Sequence, residues 1–162
     1  MIKIFKNNWA ILIILSVALI IRIVGIFYAF PLMVISDETP TLLASLKMIG
    51  QHSLRAATLG YYYPALLSYI YLPFLALFLI IGRCTGLFGS VDAMKEAVLL
   101  NLGLFIPVVR FVSVIFGTAS VYLVYRIGLR LFNKTVGLLS AWFMAISYFH
   151  TSNSHFAQTW TV

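Results

Sequence analysis

Residues 9–30 form an unbroken run of 22 residues in which Arg22 is the single charged side chain. An α-helix rises about 1.5 Å per residue, so such a run spans roughly 33 Å, enough to cross the hydrocarbon core of a bilayer. A helix that is apolar all round needs lipid or protein on every side. The remainder of the chain is under the same constraint. Of its 162 residues 62% are hydrophobic and 9% charged, with a mean hydropathy of +1.03. A soluble domain carries about 25% charged residues, so the composition excludes a water-soluble globule and predicts an all-α, multi-pass membrane protein.

Further apolar segments cover residues 64–82, 104–125 and 135–150, the last short unless it continues into "HTSNSHFA". Between the first two, Thr39 and Pro40 read as an N-cap with proline at the first helical position. Leu42, Leu43, Leu46 and Ile49 then share one face, Lys47 sits in the last turn, and Gly50 is the expected stop. This predicts an interfacial helix over 40–49, too short to cross, followed by the headgroup-level aromatics Tyr61, Tyr62 and Tyr63.

The charges bear on topology and partners. Eleven Lys or Arg stand against four Asp or Glu, a net charge of +7. Because these cations are scattered between apolar runs, they read as topology signals and contacts to anionic headgroups rather than as a nucleic-acid surface. Lys3 and Lys6 precede the first run, which is too long for a signal-peptide core and lacks a small-x-small cleavage site, so a retained signal anchor is expected. Arg126, Arg130 and Lys134 mark a basic turn between the third and fourth segments. Placing both basic groups inside requires residues 64–82 to dip into the bilayer and return, and Pro73 makes that segment an imperfect span. Either way residues 34–40, "VISDETP", lie at the outer face. Cys84 is alone, which excludes a disulfide framework within the chain.

Asp37 and Glu38 are half of the acidic residues. The plain reading is a span terminus that primes a helix start. The chemical one is a base and its partner, since neighbouring residues on an extended stretch point to opposite sides. Arg22 and Arg110 lie in or near apolar runs, where charge is expensive and marks functional candidates. Arg22 could instead snorkel outward; a guanidinium cluster near the outer headgroups would suit a lipid-linked phosphate. Ser113 and Gly117 form a small-xxx-small packing pair. His150 and His155 flank the outer end of the fourth segment, and His155 is a candidate outer-face polar contact. No spacing of His52, His150 and His155 matches a zinc motif, and no glycine-rich phosphate loop or nucleophile elbow occurs.

The order of these features resembles the N-terminal part of the protein O-mannosyltransferase and lipid A aminoarabinose transferase superfamily. The resemblance rests on the "DE" pair after the first span, the interfacial helix, "YYYP", and residues 110–157 with their R-x-x-S-x-x-x-G span, basic turn and "SHFA" ending. It covers roughly residues 10–160. It implies a GT-C-like module and transfer of a sugar, with inversion, from a polyprenyl-phosphate donor to a lipid, glycan or protein acceptor at the outer face of a prokaryotic plasma membrane. Asp37 would be the base, Glu38 its support, and Arg22 and Arg110 contacts to the carrier phosphate, often helped by a divalent cation. Where the family commonly carries an acid after the SH-x-A stretch, this chain has Gln158, Thr159 and Trp160. The family's enzymes run to several hundred residues, so residues 1–162 are expected to be the N-terminal part of a longer enzyme. A non-catalytic scaffold or degenerate paralogue is the alternative. A transporter subunit is a third reading, and would need a polar path through the bilayer midplane.

Overall fold

The computed structural model describes residues 9–28, 38–55 and 65–157. These residues are helical, with no strand among them: α1 (Trp9–Val24), α2 (Glu38–Gly50), α3 (Ala65–Cys84), α4 (Val91–Leu100), a 3-10 turn (Leu102–Phe105), α5 (Ile106–Leu131), α6 (Lys134–Ile146) and α7 (Tyr148–Asn153).

Helix α5 organises the rest. Pro107 sits in its first turn, where a missing N–H costs nothing. Ile106, Arg110, Ser113, Gly117, Val121, Tyr125 and Gly128 recur every three or four residues and are all buried, so one stripe of α5 meets every neighbour. The first half of that stripe packs with α2 and α3, where Leu42, Leu46, Tyr71 and Leu75 close around Phe105 and Val109. The second half packs with α1 and α6, where Ile14, Ala18, Ala141 and Ala145 close around Val121 and Tyr125. Arg110, Ser113 and Gly117 fall between these two apolar clusters, so a polar belt separates them.

The crossing of α5 and α6 depends on two glycines. A Cβ added to Gly128 would lie 2.7 Å from the Cα of Gly137, so the backbones nearly touch. The connection is Phe132 and Asn133 alone, and the Asn133 side chain caps α6 by accepting from the Val136 N–H at 3.0 Å. The basic turn expected here is therefore shorter than its charges suggest. Arg126 and Arg130 belong to α5, which runs on to Leu131 rather than ending at 125. Arg126 folds back to donate to the Tyr122 hydroxyl at 2.9 Å.

Other expected boundaries move for physical reasons. Among the described residues, two helical stretches are long and apolar enough to cross a membrane, Ala65–Cys84 and Leu102–Leu131. The first passes through Pro73 as one continuous helix. The helices of the first and fourth expected spans are shorter. After Val24 the chain tightens into i→i+3 bonds, Ile26 N–H to Ile23 and Tyr28 N–H to Gly25, and residues 29–30 lie outside the described part. The fourth does not continue into "HTSNSHFA": Ser147 turns to φ −57°, ψ 118°, and α7 restarts in a new direction.

Helix α2 begins by Glu38, ahead of the expected cap at Thr39, and ends in a different way from that expected. Gly50 is its last helical residue, while His52 adopts the left-handed region at φ 48°. The Ser53 N–H then reaches the Met48 carbonyl and the His52 N–H that of Ile49, a Schellman closure. Far from lying loose on a surface, α2 buries Thr41, Leu42, Ser45, Leu46 and Met48 against its neighbours. Ser45 and Ser68 tie it to α3 through the carbonyls of Ser68 and Thr41, at 2.9 and 3.2 Å.

Candidate functional site

The polar belt on α5 has Arg110 at its centre, and the folding of the chain supplies it with four acceptors. Nε and Nη2 donate to the two oxygens of Glu38, each at 2.8 Å, in a bidentate pair. Nη1 donates to the carbonyls of Ile26 and Tyr28, which the tightened end of α1 leaves unpaired, also at 2.8 Å. Glu38 is fully buried and Arg110 is 1% exposed. Oε1 of Glu38 accepts one more hydrogen bond, from the Ala157 N–H at 2.8 Å. One carboxylate thus joins the start of α2, the middle of the bundle and the chain just beyond "SHF". The guanidinium also lies over the Phe156 ring, 5.3 Å from its centre, and Phe156 meets Tyr28 edge-on at 6.2 Å.

This geometry gives Glu38 and Arg110 tasks that the sequence reading did not pair. Glu38 was expected to support Asp37 and Arg110 to contact the carrier phosphate; in the structure the two neutralise one another inside the fold. The signal was available, because an arginine at membrane depth calls for an acidic partner, and Glu38 is one of four acids in the chain. Asp37, the expected base, lies outside the described residues, one peptide bond from this anchor.

Arg22 occupies the other side of the belt. It is fully buried in the last turn of α1 and does not snorkel. Nη1 donates to the carbonyls of Ala18 and Ala145, at 2.9 and 3.3 Å, and Nη2 lies 2.7 Å from Nδ1 of His150. A guanidinium has no acceptor, so Nδ1 of His150 must be the acceptor and its ring proton sits on Nε2. Among the described residues no carboxylate pairs with Arg22, and its Nε has no hydrogen-bond partner. Gly117 of the small-xxx-small pair makes room here: a Cβ on it would collide with the Ser154 side chain and come within 3.2 Å of Arg22 Nε. The pair therefore accommodates side chains from α1 and α7 more than it brings two helix backbones together.

Next to this belt is an open cleft of about 490 Å³ between the end of α1 and α7. Its walls carry Tyr28, Tyr148 and Phe156, with Thr151, Ser152 and His155 between them and Ile21 and Ile146 beneath. The imidazole of His155 lies flat against Gly25, where a Cβ would occupy the space of the ring. Its Nε2 is 3.3 Å from the Ile21 carbonyl. Partial burial holds the His155 pKa below the usual histidine value; the hydrogen bond to the Ile21 carbonyl opposes this, and the charges of Arg22 and Arg110 add smaller effects in the same direction as burial. The structure thus brings Glu38, Arg110, Arg22 and His155 to one end of the bundle, with His150, Ser154 and the Ala157 N–H completing the group. Among the described residues, no three His, Cys, Asp or Glu side chains gather closely enough to hold a metal ion. No protein-family model, curated protein or solved structure matches this chain.

Proposed function

We propose that the chain is the N-terminal, multi-pass membrane part of a GT-C-like glycosyltransferase that moves a sugar from a polyprenyl-phosphate donor to an acceptor on the outer face. The observation that carries this reading is the hydrogen bond from the Ala157 N–H to Glu38. Through it the "DE" segment and the "SHFA" segment, 119 residues apart, meet at one end of the bundle. Asp37 adjoins one side of that junction and His155 lies two residues from the other. Asp37 is the base in this proposal, deprotonating the acceptor hydroxyl. Glu38 supports it by fixing the backbone next to it, a positioning task that suits a carboxylate with both oxygens already engaged. The lipid-facing character of the bundle supports the membrane setting. Ile13, Ile20 and Val24 of α1, Leu77 and Ile80 of α3, and Leu123 and Ile127 of α5 are all exposed.

The role of the two arginines is modified within the proposal. Arg110 spends four of its five donors inside the fold, so the carrier phosphate is left to Arg22, which has no carboxylate partner among the described residues, and to basic residues elsewhere. A divalent cation would have to draw on Asp37 and residues outside the described set. The alternative, a non-catalytic scaffold, is favoured by one observation: the pair Glu38–Arg110 is complete in itself and needs no ligand.

Radiolabelled sugar transfer from polyprenyl-phosphate donors, measured in membranes with the longest natural form of the protein, tests the reading. Transfer by wild type and its loss in Asp37→Asn, at equal membrane insertion, is the expected result. Transfer that survives the substitution removes Asp37 as base, and absence of transfer by wild type across a broad donor panel favours the scaffold.

A further inference from the structure

The last turns of α5 present two rows of side chains to the outside. Tyr122, Arg126 and Arg130 form one row and Leu123, Ile127 and Leu131 the next, each stepping one helical turn at a time, and all six are exposed. All but Leu131 line a shallow cleft of about 270 Å³. Arg126 lies roughly 24 Å beyond Arg110 along the helix, at about 1.5 Å per residue. Where α5 crosses a bilayer, this cleft therefore belongs to the leaflet away from the Glu38–Arg110 pair.

The polar row offers donors. Arg126 Nη1 donates to the Tyr122 hydroxyl oxygen at 2.9 Å, which leaves the Tyr122 proton to donate outward. Among the described residues no carboxylate pairs with Arg126 or Arg130. Glu38 is committed to Arg110, and Asp92 and Glu96 belong to α4, ahead of the start of α5. An arginine that served only the helix dipole or solubility would extend toward water. Arg126 instead lies over the Tyr122 ring, 5.8 Å from its centre, one turn back toward the middle of the span. Its charge is thus held beside the apolar row and a tyrosine of the kind that sits at headgroup level.

Two guanidiniums, a phenol donor and an adjoining apolar row match an amphiphile, with a phosphodiester on the polar row and acyl chains along Leu123 and Ile127. A soluble anion would use the first row alone and leave the second in water. We propose that this cleft binds the headgroup phosphate of an anionic phospholipid, in the leaflet opposite the Glu38–Arg110 end. The proposal needs a bilayer and does not rest on the transferase reading.

Native mass spectrometry of the full chain, released from nanodiscs of phosphatidylglycerol and phosphatidylcholine in equal parts, tests it. Wild type is expected to retain phosphatidylglycerol several-fold over phosphatidylcholine. Arg126→Gln/Arg130→Gln is expected to remove the preference, and Tyr122→Phe, which keeps both cations, to reduce it. Arg55→Gln/Arg83→Gln takes the same charge from exposed positions elsewhere and is expected to leave the preference intact. Equal retention of the two lipids by wild type overturns the proposal. An equal fall in both double variants also overturns it, since net charge then accounts for the attraction. A preference untouched by Tyr122→Phe overturns the built cleft in favour of separate surface charges, and displacement of the lipid by inorganic phosphate overturns it in favour of a soluble-anion site.

Discussion

Replacing Glu38 by alanine removes the carboxylate that Arg110 pairs with, and Arg110 is only 1% exposed. Breaking a buried pair by deleting one partner costs about 3–5 kcal/mol, because a charge is left buried and uncompensated. The Ala157 N–H loses its acceptor as well, which adds about 1–3 kcal/mol if it stays dry. Native proteins hold a margin of about 5–15 kcal/mol, so the substitution removes a large share of it. For a chain of this size a kcal/mol moves the midpoint by about 2–4 °C, so the two losses together place the expected fall at roughly 8–32 °C. The assay is the apparent unfolding midpoint in mild detergent, followed by tryptophan fluorescence. The companion variant Glu38→Leu/Arg110→Met removes both charges. It still orphans the Ala157 N–H and the carbonyls of Ile26 and Tyr28, so full recovery is not expected. It should nonetheless be destabilised by about 2 kcal/mol less than the sum of the single changes. A loss below about 1 kcal/mol for Glu38→Ala, or additivity within about 0.5 kcal/mol, refutes the pair as the anchor of the fold.

Arg22→Met should cost less than the about 3–5 kcal/mol of Arg110→Met, because among the described residues removing Arg22 strands no carboxylate; the same midpoints check this. Gly128→Val should cost about 1–3 kcal/mol or more, since its Cβ meets the Gly137 backbone. Gly50→Ala, with nothing within 4 Å of the added Cβ, should be neutral or stabilising by about 0.5–1 kcal/mol in the same assay. The pKa of His155 is lowered in the fold, so the unfolded chain binds the proton more tightly. Its contribution is present above the ordinary histidine value of about 6.5 and is lost as pH falls below it. A pH series of unfolding midpoints should therefore decline on that side, and His155→Asn should flatten the decline.

How much of this was legible in the sequence depends on whether the signal was local. The apolar runs gave the helical class, and the positions of Arg22, Arg110 and the "DE" pair marked the polar belt. The ends of helices were harder to read. Gly50 looked like the stop of α2, yet His52 takes the left-handed position, since the Schellman bonds and not the residue type select it. Asn133 and Ser90 are ordinary caps, and Ser90 starts α4, a helix with no buried residue whose pattern gave no apolar run to notice. Glu38 was assigned to chemistry because Asp37 stands beside it. Its partner is 72 residues away, and only the packing of α1, α2 and α5 shows that the arginine needs it more than a substrate would. The Gly128–Gly137 contact was missed for the same reason: two glycines on different helices have no spacing to read.

The central claim is that the "DE" segment and the cleft at α7 form one outward-facing site. Cysteine placed at 37 and, separately, at 152 in a Cys84→Ser background, probed with a membrane-impermeant maleimide on intact cells, tests it most directly. The account predicts that both positions are modified from outside without permeabilisation. Labelling of the two from opposite sides of the membrane, or of either one only after the membrane is opened, contradicts it.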